Sequence, residues 1–139
     1  MKTLAIVSIL FLLRCSGIAD EFPEIFTTEG KHSAVDTRLV IEAVFNGDAP
    51  KCSVSARSAS GSTTLGFPGL VSVSDGWFFY VESEDRVWLF DGSAKLFLWQ
   101  FAYKHAGVYD LRGAPWLKSQ VPSRLAKMVP KETREEIFD

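Results

Sequence analysis

A mainly β fold is what this sequence predicts: an antiparallel meander in a small barrel or sandwich, with one short C-terminal helix. Three observations carry that expectation. Residues 70–101 (LVSVSDGWFFYVESEDRVWLFDGSAKLFLWQF) hold four runs rich in Val, Leu, Phe and Trp. Asp75-Gly76, Glu84-Asp85 and Asp91 to Ala94 separate the runs, and Asp-Gly between apolar runs marks a hairpin. Upstream, Thr37 to Phe45 and Lys51 to Arg57 alternate apolar and polar residues around Asn46-Gly47-Asp48-Ala49-Pro50, the period of a half-buried hairpin.

Loop length fixes hairpin register. A two-residue turn at Asp75-Gly76 pairs Val73 with Phe78, and one at Glu84-Asp85 pairs Val81 with Trp88. A four-residue loop from Asp91 to Ala94 pairs Trp88 with Phe97 and sets Arg86 opposite Trp99. Side chains alternate across a strand, so this register sorts the meander into two faces. One is mainly aliphatic: Val71, Val73, Val87, Leu89, Leu96 and Leu98, with Phe78 and Tyr80. The other gathers Trp77, Phe79, Arg86, Trp88, Phe90, Phe97 and Trp99. These seven are the candidate binding residues. Tryptophan offers rigid contact area, and Arg86 beside Trp99 suits a cation–π pair. The competing expectation is that this face is simply a second buried one, with the segment Pro122 to Val129 as the obvious cover.

The N-terminus reads as an export signal. Lys2 precedes the apolar run Leu4 to Leu13, and Gly17 and Ala19 stand at −3 and −1 before Asp20. The run falls short of the ~20 residues a membrane span needs. Arg14 before Cys15 departs from the lipoprotein pattern. The expected organisation is a signal peptide over 1–19 and a single β-rich domain over 20–139, with 130–139 a short helix or frayed tail. Secretion or periplasmic residence follows, without a stable membrane span after cleavage. Only Cys52 survives cleavage, so no internal disulfide is expected, and its alternation with Val54 and Ala56 places it on a buried face.

Of 139 residues, 23% are charged and 47% hydrophobic, with a formal net charge of −2. A mildly acidic chain without a basic tract is a poor partner for nucleic acid. Residues 20–36 read as an irregular lead-in and Ser58 to Thr64 (SASGSTT) as an exposed Ser/Gly loop. Val108 to Leu111 suggests a further short strand. From Pro122 to Val129 a helix is expected, with Val121, Leu125, Met128 and Val129 on one face.

Chemistry is sparsely encoded. The two histidines, His32 and His105, stand in no nucleophile motif. No metal-ligand spacing is present, and Glu82, Glu84 and Asp85 read as solvated turn carboxylates. No cofactor is expected. The leading expectation is an exported, non-catalytic binding or interaction module that meets a protein, a glycan or another copy of itself. A small barrel carrying an apolar ligand inside is the alternative, and a secreted hydrolase a minor one.

Overall fold

The computed structural model describes residues 22–67, 69, 71–102 and 104–139. The signal peptide expected over 1–19, with Cys15, lies outside the described residues. In chain order the strands are β1 (Glu24–Phe26), β2 (Gly30–Ala34), β3 (Leu39–Val44), β4 (Lys51–Ser58), β5 (Gly61–Gly66), β6 (Phe78–Ser83), β7 (Arg86–Phe90), β8 (Leu96–Gln100) and β9 (Gly107–Asp110). A 3₁₀ helix (Pro115–Gln120) and two α-helices, α1 (Ser123–Met128) and α2 (Lys131–Phe138), complete the chain. Among the described residues no helix is long and apolar enough to cross a membrane.

The strands form two antiparallel sheets, ordered β1-β6-β7-β8-β9 and β2-β3-β4-β5. They face each other as a sandwich. Leu39, Ile41, Ala43, Cys52 and Val54 of the smaller sheet meet Phe79, Val81, Val87, Leu89, Phe97 and Trp99 of the larger. Burial of Cys52 matches its expected face, and the loss of solvation pushes its thiol up to about 12. The other face of the larger sheet carries Phe78, Tyr80, Trp88, Phe90, Leu96 and Leu98 beneath Leu117, Leu125, Val129 and Ile137 of the helical segment. The protein therefore has three layers, and the larger sheet is the middle one.

That position corrects the expected register. Tyr80 pairs with Trp88 and Val81 with Val87, one place off the expected ladder, because the register shifts between Val81 and Ser83. Glu82 is the extra residue of this bulge. Phe90 pairs with Leu96 rather than Lys95, so the β7–β8 loop holds five residues, Asp91 to Lys95. The buried Asp91 carboxylate shapes that loop by accepting the Ser93 N–H (2.8 Å), the Ser93 hydroxyl (2.9 Å) and the Lys95 N–H (3.0 Å). Each one-residue slip turns a strand over. The two slips cancel for β8 relative to β6, so β7 alone is inverted against the expected faces.

Three further expectations change. Residues 71–74 form no strand; β1 takes the place beside β6, while Ser74 N–H donates to Asp91 O (2.7 Å). The irregular lead-in contains β1 and β2, and Ser58 to Thr64 belongs to a continuous β4–β5 hairpin. Its outer face is solvated, so hydroxyl side chains suffice there, as in the Ser55–Thr64 hydrogen bond (2.7 Å). The expected helix appears as α1, and the tail folds as α2 with Ile137 buried.

Candidate functional site

The seven aromatic-face candidates do not share a surface. Phe79, Phe97 and Trp99 point into the sandwich, whereas Trp88 and Phe90 point under the helices. Trp88 and Trp99 are fully buried. Trp77 is half-buried and packs edge-on against Phe45 and Phe79. Trp99 donates its indole N–H to Leu65 O (3.0 Å), pinning one sheet to the other. Arg86 stands opposite Gln100 instead of Trp99, and its guanidinium lies over Trp88, 5.5 Å from the ring centroid. These residues are accounted for by packing.

Arg86 anchors a polar row at the rim of the helix-covered face. Glu82 Oε2 lies 2.9 Å from Arg86 Nε but off the N–H direction, so the contact is Coulombic rather than a directed hydrogen bond. Burial raises the Glu82 carboxyl above its usual range, against the pull of Arg86 and the Trp88 indole. Among the described residues the histidines make local contacts. His32 Nε2 donates to Thr28 O (2.7 Å) and its ring stacks on Phe26. The exposed His105 ring lies beside Trp116. Among the described residues no His, Cys, Asp and Glu group could hold a metal ion, and no hydrogen bond joins either imidazole to a carboxylate.

Among the described residues, a cleft of about 650 Å³ at one end of the sandwich has the dimensions of a site. Pockets of roughly 300–1,000 Å³ hold small ligands. The smaller sheet contributes Arg38, Arg57, Ser58 and Thr63; the larger contributes the β6–β7 turn, Glu84 and Asp85, with Phe101 and Ala106 beyond β8. Phe101 N–H donates to Asp85 O (2.9 Å), holding that wall together.

Arg38 enters β3 from an unusual turn. Val35, Asp36 and Thr37 all have left-handed backbone angles, with φ of 53°, 49° and 69°. For L-residues this costs about 1–2 kcal/mol each, and two of the three are β-branched. The Glu24 carboxylate holds the turn by accepting the Val35 N–H (3.0 Å), and Arg38 N–H donates to Val35 O (3.0 Å). Backbone strain of this kind gathers at functional sites. Arg38 then reaches across the mouth to Glu84, Nη1 to Oε2 3.0 Å. Neither arginine stood out in the sequence, because Arg38 and Glu84 are 46 residues apart.

Comparison with protein-family models, curated proteins and solved structures finds no match for this chain.

Proposed function

We propose that this protein is an exported, non-catalytic binding module whose ligand site is the cleft at the open end of the sandwich. The observation that supports this reading is the cleft itself, of about 650 Å³, with walls drawn from both sheets and a strained turn at its lip. The aromatic-rich strands support it differently. Their side chains form the scaffold that holds two rigid walls apart, and rigid elements are the usual platform for a recognition surface. Export rests on the N-terminal pattern ending at Ala19. Residence is secreted or periplasmic.

Two measurements test the two halves. Intact mass of the protein recovered from an exporting cell should correspond to a chain beginning at Asp20; a retained segment 1–19 would reject cleavage. In a small-molecule screen read by amide chemical shifts, responses should gather at Arg57 to Thr63, Glu84, Asp85 and Phe101. Hits scattered over the outer sheet face or the helical layer would reject the cleft as the site.

A further inference from the structure

Resting on the cleft as the ligand site, we infer that it takes an amphiphilic ligand with an oxyanion head group, a carboxylate or phosphate on an apolar body. Arg38 and Arg57 carry the inference. Leu39 pairs with Ala56, and Arg57 N–H donates to Arg38 O (2.7 Å). The two arginines thus adjoin across the strand pair, just beyond its last paired residues, and both line the cleft. Like charges that adjoin across neighbouring strands repel. The repulsion is relieved when an anion binds between them, and guanidinium groups match the oxygens of carboxylate and phosphate.

The fold already shows one carboxylate making this approach. Glu84 comes from the opposite sheet and engages Arg38 alone. Among the described residues Arg57 has no ion-pair partner. The Arg38 and Glu84 side chains are 65% and 55% exposed, so the pair is weak and open to exchange. Asp85 also lines the cleft, bringing the four charges to zero. An oxyanion therefore enters by exchange, replacing the Glu84 carboxylate on Arg38 while also engaging Arg57. Phe101, Ala56 and Ala106 give the remaining wall apolar surface, beside Ser58 and Thr63. The volume exceeds what an inorganic anion fills, which leaves room for a body behind the head group.

Octanoate, octyl phosphate and octanol, each below its aggregation concentration, test this by titration with amide chemical shifts as readout. The two anions should move the cleft resonances, with octanol roughly tenfold weaker, the scale of a lost charge-assisted hydrogen bond. Preference between octanoate and octyl phosphate identifies the head group. Arg57→Gln should weaken the anions roughly tenfold and leave octanol unchanged. Glu84→Gln should tighten the anions several-fold, because it removes their competitor. Octanol binding as tightly as octanoate, or Glu84→Gln weakening the anions, overturns the ligand class while leaving the cleft reading intact. No response to any of the three compounds also overturns the ligand class, and the cleft reading is then decided by where the hits of the small-molecule screen fall.

Discussion

At the scale of single residues, Gly92 shows how tightly the backbone is specified. It has φ +86°, and a Cβ there would lie 2.4 Å from Ser74 O, a backbone atom that cannot swing aside. Gly92→Ala should therefore destabilise the fold by about 2 kcal/mol or more. Gly66, where among the described residues nothing would lie within 4 Å of a Cβ, should accept Ala within roughly ±0.5 kcal/mol. Denaturant unfolding of both variants checks the pair, and equal losses would refute the close approach. Glu82 gives a pH-dependent counterpart. Burial raises its folded-state pKa, so the stability it contributes is present below the unfolded pKa and lost as pH rises through the folded one. Glu82→Gln mimics the protonated form. Its stability relative to wild type should improve as pH rises above the ordinary glutamate value of about 4; a decline with rising pH would reverse the assigned sign.

At the scale of elements, two small features decide which side of the middle sheet each strand presents. The Glu82 bulge displaces β6 against β7, and the fifth loop residue displaces β7 against β8. Asp91 holds the second displacement through three hydrogen bonds while itself buried. Asp91→Ala should cost about 1–3 kcal/mol, since it strands two backbone N–H donors. It should also broaden amide resonances from Ser93 to Leu96 in a heteronuclear spectrum. An unchanged loop spectrum would show that the five-residue register is held by something else.

For the molecule as a whole, the helical layer is structurally required. Phe78, Tyr80, Trp88, Phe90, Leu96 and Leu98 lie under it, and a contiguous apolar patch of that kind is rarely left in water. A chain lacking residues 115–139 should bind a hydrophobic dye and collect in the insoluble fraction. A soluble monomer with cooperative unfolding would show that the helices merely decorate the sheet. The layer also explains why the middle strands carry apolar residues on both faces: β6, β7 and β8 contain the buried runs Phe78 to Val81, Val87 to Phe90 and Leu96 to Gln100. The smaller sheet, covered on one side only, alternates buried and half-buried residues through β3.

The amino-acid order alone determined that the chain is β-rich, where the β3–β4 hairpin and the β6–β7 turn fall, that a late strand includes Val108, and that Leu125 and Val129 are buried, although the helix stops at Met128 and Val129 is extended. Turn residues and period-two alternation act over a few positions, so they are legible locally. Only the tertiary structure decided which face β7 shows, because a strand buried on both sides has no polar face to fix its register. The weak strands β1 and β5 likewise depend on the sheet edge they join rather than on their own apolar content. The cleft belongs to that same level. Arg38 meets Arg57 through a strand pairing and Glu84 through the closure of two sheets, and neither relation exists until distant segments pack.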